Sequence, residues 1–231
     1  SSAASDVYKR QQGDFEVTFV LQDEKGKKFL LSEEIADGHY VRTFPIEEIE
    51  QGILGFQLRL LGDEGSFISG AYYGEFDVFE RKTIGVGICT YRREEYVLKN
   101  IEVLRDLRQK LPGLDLVVVD NGRTLHLKYP DVRIIPNKNF GGSGGFTRAI
   151  IKYMGRENKV DYILLMDDDV VIEPSALLRT WIFLGGLREE FRDRFLCGAM
   201  LRLHSPCIQL ERSAAWSVIR SHSNGYMLNL A

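Results

Sequence analysis

Three apolar runs of strand length each break off in polar or acidic residues: TIGVGICTY at 83–91, LDLVVVD at 114–120 and DYILLMDDD at 161–169. Between the first two, EEYVLKNIEVLRDLRQKL at 94–111 carries Val97, Ile101, Leu104 and Leu111 at helical spacing, and Pro112-Gly113 stops it. VRIIP at 132–136 reads as a further strand. FTRAIIKYMGR at 146–156 reads as a helix with Phe146, Ile150 and Tyr153 on one side, and PSALLRTWIFLGGL at 174–187 as another. Strands alternating with helices predict a mostly parallel α/β sheet with short crossovers over residues 81–231. In such sheets ligands sit beyond the carboxyl ends of the strands.

The chain before Lys82 has a different period. DFEVTFVLQD puts Phe15, Val17, Phe19 and Leu21 on one face, and GFQLRLLGD does the same with Phe56, Leu58 and Leu60. SFISGAYYGEFDVF is aromatic-rich and β-prone, and DEKGKK and GDEGS supply turns between the runs. Residues 14–80 are therefore expected to form a small antiparallel β-sandwich. Residues 1–13 read as a disordered tail with no apolar signal-peptide core.

Composition narrows the function classes. A formal net charge of -3 gives no electrostatic case for nucleic acid. Cys89, Cys197 and Cys207 lack metal-ligand spacing and read as small core thiols of a reducing compartment. No run approaches the roughly 18–20 apolar residues that span a bilayer. The expected location is cytoplasmic, with peripheral association at the inner face of the membrane left open.

Four loops follow the strands: Thr90-Tyr91-Arg92-Arg93, Asp120-Asn121-Gly122, NKNFGGSGGFTR at 137–148, and Asp167-Asp168-Asp169. Adjacent carboxylates repel unless a cation compensates, and hard divalent cations prefer carboxylate oxygens. The other reading of the triplet is a solvated acidic loop capping the next helix. Four glycines in five positions before a helix let backbone approach a ligand, and a helix start favours anions, with Arg148 reaching from the first turn. A plain mobile turn is the alternative. Neither the dinucleotide G-x-G-x-x-G fingerprint nor the P-loop is met. Asp120 has the chemistry to accept from a base N–H, and Arg92 and Arg93 to meet a diphosphate.

Taken together, GICTYRR, VVVDNG, NFGGSGGF and LLMDDD, in this order, resemble the GT-A glycosyltransferases of the large inverting family 2. The closer resemblance is to bacterial galactofuranosyltransferases of the cell-wall galactan type, whose early β-domain motif is similar to GHYVRTFP at 38–45. It implies a GT-A (Rossmann-like) domain behind a β-sandwich, a UDP-sugar donor (UDP-galactofuranose), a glycan or glycolipid acceptor, and oligomers as an option. It also implies nucleotide-sugar contacts from Thr90, Arg93, Asp120, Asn139, Arg148, Asp167 and Asp168. Mn²⁺ or Mg²⁺ falls to Asp167 and Asp169. Trp181 and Trp216 offer sugar-stacking surfaces or are buried tryptophans.

The family pattern places its carboxylate base on the order of a hundred residues past D-x-D, yet 62 residues follow Asp169 here. Glu211, the one acid beyond Arg194, is a candidate for that base or an ordinary surface acid. The expectation is a chain lacking its acceptor region, one that binds the donor and turns over poorly. A sugar-nucleotidyltransferase is the rival enzyme, disfavoured because CTYRREEY has no glycine. A non-catalytic glycan-binding module is the other rival.

Overall fold

The computed structural model describes residues 4–45, 52–74, 78–126, 129–155, 159–217 and 222–229. Contacts divide the chain into Ser1–Phe79 and Glu80–Ala231.

The first unit holds six strands: β1 (Ala4–Gln12), β2 (Phe15–Asp23), β3 (Gly26–Ile35), β4 (Gly38–Pro45), β5 (Ile53–Leu60) and β6 (Ser66–Gly74). They form two antiparallel three-stranded sheets, ordered β4-β1-β6 and β3-β2-β5. The alternation in β2 reads through, since Phe15, Val17, Phe19 and Leu21 are all buried. Val20 joins them because the β2–β3 register shifts between Phe19 and Val20. Rings of the two sheets meet in one core: Phe19 packs edge-on to Phe44 at 4.7 Å between centroids, and Phe56 lies against Phe67 and Tyr72.

The expected tail is corrected. Ala4–Gln12 is the central strand of its sheet, paired with β4 on one side and β6 on the other. Its polar, weakly patterned residues carry little periodicity. Two flanking strands supply the backbone partners that place it there.

The second unit is built on β7 (Ile84–Thr90), α1 (Glu94–Arg108), β8 (Leu114–Asp120), β9 (Arg133–Pro136), α2 (Gly141–Met154), β10 (Tyr162–Asp167) and α3 (Pro174–Gly186). The four strands are parallel, in the order β10-β7-β8-β9. The chain moves outward from β7 to β9, then returns to lay β10 on the other side of β7. That reversal is the topological switch point at which open α/β sheets hold ligands.

Alternation along β7 assigns its faces. Ile84, Val86 and Ile88 point into a core shared with Val97, Ile101 and Leu104 of α1 and Leu177 and Leu184 of α3. Gly85, Gly87 and Cys89 point toward α2. A Cβ on Gly85 would sit 2.6 Å from the Tyr153 ring, and one on Gly87 2.8 Å from Ala149 Cβ. The relation inverts at the next contact, where a Cβ on Gly145 of α2 would lie 2.1 Å from Cys89 Sγ. Helix and strand thus interlock glycine against side chain, and the Tyr153 hydroxyl donates to Val86 O at 2.9 Å.

This packing corrects the expected position of α2. The glycines of GGSGG are not a loop before the helix but its first turns, and the buried face is Gly145, Ala149 and Tyr153, with Phe146 and Ile150 partly covered. Glycine costs about 1 kcal/mol per residue in a helix, which the close approach to β7 offsets. Arg148, exposed, accordingly stands in the third turn and not the first.

After a 3₁₀ turn at Glu189–Phe191 come β11 (Leu201–Arg202), β12 (Ser205–Ser217) and β13 (His222–Asn229), an antiparallel sheet unforeseen from the sequence. Cys197 is an exposed thiol, not a core residue, while Cys89 is half-buried. Among the described residues no helix is long and apolar enough to cross a membrane.

Candidate functional site

Register brings the strand ends level at the carboxyl edge: Thr90 pairs with Asp120, Asp120 with Pro136, and Cys89 with Asp167. All four expected loops are tied together there.

The acidic triplet alternates as it leaves β10. Asp168 is 6% exposed, while Asp167 and Asp169 face solvent. A buried carboxylate is tolerable only when hydrogen-bonded and paired. Asp168 Oδ2 accepts from Thr90 Oγ1 at 2.7 Å, and Oδ1 accepts from Arg93 Nη1 at 3.3 Å. Its main-chain carbonyl accepts from Asn100 Nδ2 at 2.8 Å. Thr90 and Asn100 are themselves buried. The middle acid is therefore the anchor of the loop, and the outer two are displayed.

Arg93 also pairs with Asp169 Oδ2. The charge of Asp169, then that of Asp168, holds the Arg93 guanidinium above its ordinary pKa. Burial, reinforced by Asp168 and Asp167, pushes the Cys89 thiol up as well. Among the described residues no three His, Cys, Asp or Glu side chains gather into a metal cage.

Asp120 is fully buried, and its carboxylate folds its own loop. Oδ1 accepts from Gly122 N at 2.9 Å and Oδ2 from Leu125 N at 2.8 Å. Its main-chain oxygen accepts from Asn137 N at 2.8 Å. Asn121, given no role of its own from the sequence, is the hub of the edge. Its main-chain N–H donates to Thr90 O at 2.9 Å and its Nδ2 to Gly141 O at 3.1 Å, while Oδ1 accepts from Asn137 Nδ2 at 2.9 Å. The ends of β7, β8 and β9 and the start of α2 are thereby held together.

Asn139 is exposed, and its Oδ1 accepts from Gly141 N at 3.0 Å as α2 begins. Where α1 opens on Glu94 and Glu95 and α3 is capped by Glu173, the first turn of α2 contains no acid. Its partial positive charge is left unneutralised from within the helix. Gly141 there takes φ +71°, a backbone conformation that favours glycine.

Of the two readings of Trp181, the structure favours the buried tryptophan over the sugar-stacking surface. It packs partly buried against the core, its Nε1 donating to Lys82 O at 2.8 Å, at the amino end of β7 and so opposite the site. Glu211 and Trp216 lie on β12, and their side chains fall outside the described residues. Sequence reasoning missed Asn100 and Asn121. An amide at position 100 on the apolar face of α1, between Val97 and Ile101, was the available signal.

Residues 85–185 match the profile of Glycosyl transferase family 2. The galactofuranosyltransferase GlfT2 of Mycobacterium tuberculosis is 29% identical over 154 residues, covering 60% of this chain and 23% of its own length. The same-named protein of Mycolicibacterium smegmatis is 28% identical over 150 residues at the same coverage. The chain spans under a quarter of the length of these curated relatives. Among solved structures, the Glycosylation Associate Protein (Gap123) complex from Streptococcus agalactiae aligns over 80% of this chain and 77% of its own, at 8% identity and a TM-score of 0.23. A score that low carries no argument about fold.

Proposed function

With residues 85–185 matching a family 2 glycosyltransferase domain, we propose that this chain binds a UDP-sugar at the carboxyl edge of its parallel sheet and serves an inverting, metal-dependent glycosyl transfer. UDP-galactofuranose is the donor and a bacterial cell-surface glycan or glycolipid the acceptor, in line with what the relatives are called. The residues before Glu80, whose two sheets share one core, form the accompanying β-sandwich.

One observation carries this reading: Asp168 is drawn inward at the switch point while Asp167 and Asp169 remain outside. Two displayed carboxylates suit a hard divalent ion that takes one or two protein ligands and fills its octahedral shell with water and phosphate oxygens. Mg²⁺ or Mn²⁺ on Asp167 and Asp169 supplies Lewis-acid stabilisation of a departing diphosphate.

The remaining roles belong to the chain's own groups. The acid-free first turn of α2 and Asn139 face the diphosphate side of the edge, and Arg148 adds positive charge along the same helix. Thr90 fixes the acidic loop. Asp120 acts on the uracil through the loop it folds, since its own carboxylate is committed to Gly122 and Leu125.

Calorimetry with UDP, with and without Mn²⁺, tests the assignment. The expected result is metal-dependent binding that Asp169→Ala abolishes. Absence of UDP binding to the wild-type chain would overturn it.

A further inference from the structure

The acidic loop already contains a cation. Arg93 Nη1 reaches both Asp168 Oδ1 and Asp169 Oδ2, and an ion on Asp169 would need that same Asp169 carboxylate. We propose that Arg93 is an exchangeable counter-ion, held on Asp169 while no divalent ion is present and transferred to the diphosphate when metal and nucleotide bind together. The inference rests on the metal–diphosphate reading above and deepens it.

Three features make the exchange feasible. First, Asp168 keeps a partner without Arg93. Thr90 Oγ1 stays on Oδ2 at 2.7 Å, the guanidinium stands at 3.3 Å from Oδ1, and an incoming divalent ion would restore the positive charge that its departure removes from the loop. Second, the Arg93 side chain has no part in building α1. Arg93 occupies the position before the first helical residue without a side-chain cap bond, and it is half exposed. Third, its neighbour is not positioned to substitute, because the Arg92 guanidinium lies over the Tyr91 ring, 5.3 Å from the centroid. Arg92 is also held at φ +54°, which fixes the backbone from which Arg93 departs.

A guanidinium meets carboxylate and phosphate with the same fork of donors, so a diphosphate offers Arg93 an equivalent partner. On Asp169 it competes with a divalent ion for one carboxylate. Metal alone must displace it, whereas metal arriving with a diphosphate gives it somewhere to go. Each ligand then raises the affinity of the other, by the same factor in both directions.

The experiment is Mn²⁺ binding to the 231-residue chain, read from the free-ion paramagnetic resonance signal, with and without UDP. Arg93→Met is expected to bind Mn²⁺ alone about two- to fivefold more tightly than wild type, the scale of losing one exposed ion pair. The enhancement of Mn²⁺ affinity by UDP is expected to shrink in the same variant. Arg93→Lys keeps a cation on Asp169 but loses the fork, so it should bind Mn²⁺ alone as wild type does and gain less from UDP. Circular dichroism confirms that each variant is folded, and Arg93→Lys carries the test by itself if Arg93→Met is not. The proposal is overturned if Arg93→Met binds Mn²⁺ no more tightly than wild type, or if UDP enhances Mn²⁺ binding undiminished in either variant. Failure of the parent reading looks different: wild type would bind neither Mn²⁺ nor UDP, and both ideas would fall together.

Discussion

Thr90 Oγ1 donates to Asp168 Oδ2 at 2.7 Å, joining the carboxyl ends of β7 and β10, the two strands between which the sheet order reverses. Thr90→Val keeps the volume and removes the donor, leaving a buried carboxylate oxygen without its closest partner. A loss of about 1–3 kcal/mol is expected in urea unfolding, with Thr90→Ser near wild type. Equal stability of the valine variant would mean that the bond anchors nothing.

The interlock of α2 on β7 makes Gly145 a packing residue. Gly145→Ala should gain about 1 kcal/mol of helix propensity, yet its Cβ would meet Cys89 Sγ at 2.1 Å. Overpacking of this kind costs roughly 1–3 kcal/mol, so net destabilisation is expected. Cys89→Ala in the same chain should recover part of it, which a double-mutant cycle measures as a coupling between the two sites.

At the opposite edge, Asp161 Oδ2 accepts from Thr83 N at 2.7 Å and from Thr83 Oγ1 at 2.8 Å, clamping the starts of β7 and β10. Burial acts to raise the Asp161 carboxyl, but the bonds from Thr83 outweigh it and hold the pKa below the ordinary aspartate value. A carboxyl lowered on folding contributes stability above its unfolded pKa, and that contribution is lost as pH falls through the lower, folded value. Thr83→Val should therefore be less stable than wild type at neutral pH, and the gap should narrow in strong acid, leaving the part due to the Asp161 N–H that donates to Thr83 Oγ1 at 2.9 Å. A gap independent of pH would remove Asp161 from the explanation.

Trp181→Phe tests the packing role of that residue. Loss of the bond to Lys82 O is expected to cost about 1 kcal/mol in thermal or urea unfolding. Metal-dependent UDP binding should stay as in wild type, because Trp181 lies at the amino end of the sheet. Weakened UDP binding at unchanged stability would return Trp181 to the site.

Much of the second unit is legible in the chain. The apolar runs at 84–89, 114–119 and 162–166 are three of the four parallel strands, and Val97, Ile101 and Leu104 are the buried stripe of α1. Such patterns survive because a residue's neighbours at two or four positions along the chain already fix which face it shares. Where the pattern is weak, tertiary partners prevail. β1 has little periodicity and owes its place to β4 and β6, and GGSGG is helical where Gly145 makes room for Cys89 of β7.

The site divides along the same line. From the residues alone one can read that three acids follow an apolar strand at a ligand edge, that a glycine-rich segment opens a helix nearby, and that the charges invite a cation. Which acid turns inward is not contained in DDD, since adjacent side chains alternate and either parity satisfies the local backbone. Thr90 decides it from 78 positions away and Asn100 from 68, by offering donors to Asp168 and to its carbonyl. Local sequence therefore determined where the carboxylates stand along the chain. Only the folded arrangement, by supplying hydrogen-bond donors to one of them, decided which carboxylates are left facing solvent.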